Sequence, residues 1–288
     1  MEIRASTQTD VNYNTRKFAG VDTIIRLHDI KLLSEFDRAI FSLFHQSYPD
    51  VRPVVVTQDF SQDRLNLVKN ILDRYPWLAR GISPAIINVP NPSGTDIRST
   101  LLNAGLAATS GRYITILDAD DFLYGKAVQW LVSSLENGRY AIAFGDIAIR
   151  YVAMVDQIPY AFSKAINMYQ GNGVSDLIKE NFCPIHSFVI DRNHIESDDL
   201  YFCSEISRLE DYEFLLRICS KYPANFESRK KIVGVYNWKS DNSNSTITGL
   251  ETEEDINKKR LPWDHARAYV ERTRQLAIVN LSANKASL

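Results

Sequence analysis

"YITILDADDFLYG" (residues 113–125) decides the fold. Tyr113 to Leu117 are β-formers that run directly into Asp118, Asp120 and Asp121, with only Ala119 between the acids. The first five residues read as a buried strand. Carboxylates this close repel and raise one another's pKa unless a cation or another partner holds them. A divalent ion, a catalytic role and a solvated β-to-α turn each account for that repulsion, and the spacing alone leaves all three open.

Working outward, strands and helices alternate. Strands are expected at "VDTIIRL" (21–27), "RPVVVT" (52–57) and "AIINVP" (85–90). Helices are expected at 31–46, 62–76 and 97–111, the last closed by Gly111 as a C-terminal stop. A further helix carries Ala127, Val128, Leu131, Val132 and Leu135. This spacing calls for βαβ crossovers and an α/β fold with a mostly parallel sheet between helices. Ligands of such sheets sit at the carboxyl ends of the strands. Three of those ends are polar here: Arg26-Leu27-His28-Asp29, Gln58-Asp59 and the acid triplet.

The second half is less regular. Strands are expected at 140–155, 184–192 and 231–238, and "LEDYEFLLRICSKYP" (209–223) reads as an amphipathic helix opened by Glu210 and Asp211. This half is expected to form a mixed sheet serving a second ligand. Residues 1–20 read as an arm, "SDNSNSTITG" (240–249) as a lid or a disordered crossing, and the stretch from 251 as a charged helix or helix pair.

Composition narrows the class. With 33 basic and 35 acidic residues the net charge is -2, so nothing global points to nucleic acid. Cys183, Cys203 and Cys219 lack CxxC spacing, and an odd count argues against a disulfide scaffold, which fits a reducing cytoplasm. The polar N-terminus lacks the apolar core of a signal peptide, and no apolar run reaches the roughly 20 residues of a membrane span. Peripheral contact with a membrane stays open. No P-loop, GxGxxG fingerprint, GxSxG elbow or HExxH spacing is present. His28, His186 and His265 therefore read as ordinary hydrogen-bonding histidines.

Single residues stay ambiguous on spacing alone. Asp59 suits a base N–H or a ribose hydroxyl, or equally an Asx-turn or the cap of the helix at 62, a role open to Ser61 as well. Glu210 and Asp211 suit a general base with its neighbour, or ordinary first-turn acids favoured by the helix dipole.

In their order these pieces resemble glycosyltransferase family 2, the GT-A fold enzymes that use nucleotide sugars. The likeness spans about residues 20 to 245. "HQSYPD" (45–50) stands for the family's Q-T-Y-P-D turn, and "LLNAGLAATSGRYITILDADD" (101–121) for its R-N-x-G…L-D-x-D-D block. "LEDYEFLLRI" (209–218) resembles the E-D helix that carries the base.

The resemblance implies a GT-A (Rossmann-like) domain over 21–250. Its nucleotide-sugar half would be 21–123 and its acceptor half 124–250, with an arm before it and a C-terminal helical extension over 251–288. It implies an inverting, metal-dependent transfer from a nucleoside-diphosphate sugar, a UDP-sugar favoured, to a glycan or lipid-linked hydroxyl. Asp59 would meet the base, with Arg26 and His28 in the adjoining loop and Arg98 toward the phosphates. Asp118 and Asp120 would form the D-x-D motif that holds Mn²⁺ or Mg²⁺, Asp118 also nearing the ribose. Asp211 would be the general base and Glu210 its acceptor-holding partner. The implied setting is bacterial surface glycan synthesis in the cytoplasm or at the inner membrane face.

The chain departs from the pattern around the nucleotide. D-D-G-S is Gln58-Asp59-Phe60-Ser61, P-T-Y-N is Arg26-Leu27-His28-Asp29, and the Arg of A-R-N is Leu102. Two rival classes follow: a nucleotide-sugar or carbohydrate-binding module that has lost turnover, and a sugar-1-phosphate nucleotidyltransferase. The latter calls for a basic, Gly-rich N-terminal loop, which residues 26–31 are not.

Overall fold

The computed structural model describes residues 19–136, 138–156, 158–163, 166, 169–240 and 252–286. The expected arm over 1–18 and the loop over 241–249 lie outside the described residues.

The first half follows the alternation. β1 (Val21–Leu27), α1 (Leu33–Phe44), β2 (Val51–Gln58), α2 (Gln62–Asp73), β3 (Ala85–Val89), α3 (Arg98–Ala107) and β4 (Tyr113–Asp118) come in sequence. β3, β2, β1 and β4 lie side by side and parallel. Their side chains alternate between two cores because strand residues point to opposite faces in turn. Ile25 and Leu27 face α1, while Ile24 and Val56 pack with Leu101, Leu102 and Leu106 of α3. The sheet is buried on both sides, which is why β1, β2 and β4 read as nearly continuous apolar runs.

Gly111 is not the stop of α3. That helix ends at Ala107 with Ala108 as its cap, and Gly111 lies farther on, against the start of β1. A Cβ there would lie 2.6 Å from the Gly20 carbonyl oxygen, so glycine serves a close backbone approach.

After β5 (Phe122–Leu123) and α4 (Ala127–Ser133) the order changes. The single strand expected over 140–155 is two, β6 (Ile142–Phe144) and β7 (Asp146–Val155), and they belong to different sheets. Gly145 makes the break: a Cβ on it would meet Val233 Cγ1 at 2.3 Å. Apolar residues continue through the junction, so the pattern alone hides it. β8 (Ile158–Ala161) and α5 (Val174–Lys179) follow, then β9 (Phe188–Asp191), which lies antiparallel between β4 and β6. Next come α6 (Glu210–Lys221), β10 (Ala224–Asn225), β11 (Ile232–Lys239) and α7 (Glu253–Ala286).

Among the described residues the strands form two sheets, β10-β6-β9-β4-β1-β2-β3 and β5-β11-β7-β8. The fold is mixed α/β, with a large, mostly parallel sheet between helices. The terminal stretch is one helix rather than a pair, and Ala266, Val270, Thr273 and Ala277 form its buried stripe. Among the described residues no helix is long and apolar enough to cross a membrane.

Candidate functional site

The register of β1 against β4 pairs Arg26 with Asp118. Both lie at the carboxyl edge, and the Arg26 guanidinium donates to Asp118 Oδ1 at 2.7 Å and to Glu210 Oε1 at 3.0 Å. One side chain thus ties two strands of the first half to the start of α6, 184 residues away. Burial alone would lower the Arg26 pKa, but the charges of Asp118 and Glu210 outweigh it and raise it. Arg98, at the start of α3, donates to Asp96 Oδ2 at 2.8 Å and lies 3.9 Å from Glu210. Arg208 pairs with the same Asp96.

The three acids after β4 meet three different partners. Burial pushes Asp118 up in pKa, against the pull of Arg26. The Asp120 carboxylate lies 3.0 Å from Lys239 Nζ, and that ion pair overcomes burial to hold its pKa below the usual value. The Asp120 carbonyl accepts from Arg38 at 2.9 Å and from Asn237 Nδ2 at 2.7 Å. Asp121 is buried, accepts from the Asn237 backbone N–H at 2.8 Å, and approaches His186 Nδ1 at 3.5 Å. Burial and the neighbouring Asp120 push Asp121 well up, while burial pushes His186 down to about 4. The repulsion within the triplet is therefore relieved residue by residue. None of these acids caps the next helix: α4 starts at Ala127 behind Lys126, without a side-chain cap.

At the other end of the Arg26 bridge, Leu209 takes a left-handed conformation (φ 58°) and turns the chain into α6. Such a backbone costs a non-glycine residue about 1–3 kcal/mol and concentrates at functional sites. It sets Glu210 and Asp211 in the first turn. Asp211 accepts from the Tyr212 N–H at 2.7 Å and from Asn181 Nδ2 at 3.4 Å. Desolvation, followed by the charge of Glu210, pushes its carboxyl up to about 7. Tyr169 lies near both Asp121 and Asp211, and Tyr236 beside the acid triplet. Burial raises both phenols, Asp121 adding to each, and the Tyr236 ring stacks on His186 at 6.4 Å and meets Trp238 at 6.0 Å.

The structure thus brings Arg26, Arg98, Asp118, Asp120, Glu210 and Asp211 together. His28 is exposed beside them. Desolvation lowers its pKa, as does Arg26, while Asp118 and Asp120 act in the opposite sense. Asp59 stands apart: among the described residues it makes no ion pair with the others. It is exposed and left-handed (φ 50°) past the end of β2, and its N–H donates to the Val89 carbonyl at 2.9 Å. Asn88 holds the next residue through both Phe60 backbone groups. The cap of α2 is Ser61, so Asp59 is not needed there. His265 lies exposed on α7, and no role in the site falls to it.

Lys239, Glu35, Asn237, Arg38 and Asn181 are site residues that the sequence reading misses. Lys239 and Asn237 reach the acids only because β11 pairs with β5 and β7, a long-range register that local periodicity does not carry.

Chemically, the edge offers carboxylate oxygens of Asp118 and Asp120, side chains 24% and 32% exposed, opposite a carboxyl poised near neutrality. Hard oxygen donors suit Mg²⁺ or Mn²⁺, which bind through one or two carboxylates plus phosphate oxygens. Two carboxylates fit that requirement, although no group of three or more His, Cys, Asp or Glu suited to a metal is found among the described residues.

Several solved structures share this fold. TarS residues 1–349 of S. aureus, in complex with UDP, is 12% identical with a TM-score of 0.58, over 91% of this chain and 66% of that one. The mannosyltransferase PcManGT of Pyrobaculum calidifontis, in complex with GDP-Man and Mn²⁺, is 14% identical with a TM-score of 0.50, over 93% and 74%. Against another TarS structure the values are 11% and 0.55, over 76% of this chain and only 37% of that one. Identities this low speak for the fold alone. No curated protein matches the chain. The family model "Glycosyl transferase family 2" matches residues 33–197, more than half of the chain. The chain belongs to glycosyl transferase family 2.

Proposed function

We propose that the protein moves a sugar from a nucleoside-diphosphate donor to a hydroxyl acceptor, inverting the anomeric centre. The observation that carries this reading is the Asp211 carboxyl, raised to about 7 and set beside the Glu210–Arg26–Asp118 bridge. A general base works best when its pKa lies near the operating pH. Asp211 takes the proton of the acceptor hydroxyl as the new carbon–oxygen bond forms. The bond from the anomeric carbon to the diphosphate breaks on the opposite face, and the nucleoside diphosphate leaves with the electron pair. A single displacement of this kind inverts the centre without an enzyme nucleophile.

Asp118 and Asp120 are the residues assigned to hold Mn²⁺ or Mg²⁺, which when bound supplies Lewis-acid charge to the leaving diphosphate. Arg26 and Arg98 lie on the same edge and add fixed positive charge there. Asp59 and His28 are assigned to the base and ribose, and Glu210 to holding the acceptor beside Asp211. On this reading residues 21–123 bind donor, 124–250 bind acceptor, and 251–288 form a helical extension. A UDP-sugar is favoured, in keeping with the UDP held by the structurally similar TarS fragment. A glycan or lipid-linked acceptor in bacterial surface glycan synthesis, in the cytoplasm or at the inner membrane face, completes the proposal.

The test is a panel of UDP- and GDP-sugars with hydroxyl acceptors, assayed with Mn²⁺ and with chelator. Metal-dependent release of nucleoside diphosphate is the expected result. Donor binding without release under every acceptor would favour a binding module that has lost turnover.

A further inference from the structure

We infer that Lys239 is a built-in cation that competes with a divalent ion for Asp120 and so sets how tightly the site holds metal. This rests on the assignment of Asp120 as a metal ligand. The Lys239 side chain is 7% exposed at the end of β11, with Nζ 3.0 Å from Asp120 Oδ2 and 3.0 Å from Glu35 Oε1. Glu35 is fully buried on α1, and neither of its oxygens has a hydrogen-bond partner among the described residues beyond that ion pair. A carboxylate so placed stabilises the ammonium, and the ammonium in turn occupies one of the oxygens that a metal would use.

The Asp120 backbone does not depend on this lysine. Arg38 and Asn237 donate to its carbonyl, and the Asn237 N–H fixes Asp121. Removing the amine therefore leaves the turn in place and exposes two carboxylates to each other. Both oxygens lie 3.0 Å from the same nitrogen. A small inward movement brings them to the oxygen distances of about 2.1 Å that Mg²⁺ demands. Arg26 at Asp118 is a different case, because its other arm is committed to Glu210. A structural salt bridge alone predicts loss on removing Lys239; competition predicts gain.

The experiment measures Mn²⁺ affinity of the full chain by electron paramagnetic resonance, with and without UDP, for wild type, Lys239→Met, Lys239→Arg and Glu35→Gln/Lys239→Met. Lys239→Met is expected to bind Mn²⁺ tighter by about tenfold or more, within the usual range for two ligands that oppose each other. The double variant returns toward wild type, and Lys239→Arg stays near it. A Lys239→Met protein that melts cooperatively yet binds Mn²⁺ no tighter than wild type overturns the inference and leaves the metal assignment standing. If neither protein binds Mn²⁺, both fall. If only Lys239→Met binds, the competition stands and the metal dependence of the wild type falls. Should Lys239→Met not fold, Glu35→Gln carries the test. With the Glu35 charge gone, Lys239 holds Asp120 more strongly and Mn²⁺ affinity drops about fivefold, the lower end of such coupling, whereas no change overturns the inference.

Discussion

The two edges of the main sheet use the same residue types to opposite ends. At the amino edge, Asp22 is buried and accepts from Arg52 Nε at 2.7 Å and from the backbone N–H groups of Ser110 and Gly111 at 2.6 and 2.8 Å. Asp191, also fully buried, accepts from Arg112 at 2.7 Å and lies 3.1 Å from His194. Both of these acids are closed into structural pairs. At the carboxyl edge Asp118, Asp120 and Asp211 remain partly open, with protonation displaced up, down and up to about 7. What separates structure from chemistry is therefore the degree of satisfaction. Closed pairs hold the fold, and open ones leave oxygen for a substrate.

The largest effect that would break this contrast is kinetic. Asp211→Asn keeps the shape and removes the base, so transfer should fall by about 10²- to 10⁴-fold, the usual contribution of a positioned base. Donor affinity should hold, since the residue faces the acceptor. Titration with nucleotide sugar checks the second point, and a variant that loses donor binding as well would reassign Asp211 to the donor.

The amino edge should respond the other way. Asp22→Ala removes the buried carboxylate to which Arg52 and the Ser110 and Gly111 N–H groups donate, at a cost of about 3–5 kcal/mol in stability. Urea unfolding measures the loss, while transfer per folded molecule should stay at the wild-type rate. A change below about 1 kcal/mol, the worth of an exposed ion pair, would mean that this edge is no more structural than the surface.

This contrast also marks how far the sequence can be read. β1 to β4 were legible because each is a short β-branched run separated by an amphipathic helix, and acids at their ends mark the ligand edge. Glu210 and Asp211 were legible as a pair at a helix start. Lys239 and Glu35 were not, because a lysine ending a strand and a glutamate inside α1 look like solvated charges until the register of β11 sets Lys239 between Glu35 and Asp120. Gly145 was missed for a related reason: alternation of apolar residues does not report a change of sheet. Asp59 is not the cap of α2, because Ser61 fills that place, and none of the acids after β4 caps α4.

The smallest effect is the most specific to the open edge. Because the folded Asp211 titrates near 7 rather than at the unfolded value of about 3.9, the native state holds a proton that the unfolded chain has lost between those limits. Its contribution to stability is present in full below pH 4 or so, and is lost as pH rises through about 7. Wild type should therefore lose stability from pH 5 to 8 relative to Asp211→Asn, a difference read by urea unfolding at the two values. The same proton must leave before the base can act, so kcat/KM should fall about tenfold per pH unit below 7, the slope of a single required deprotonation. A profile flat from pH 5 to 8 would put the Asp211 carboxyl among the closed acids of the opposite edge, and the base would have to be sought elsewhere.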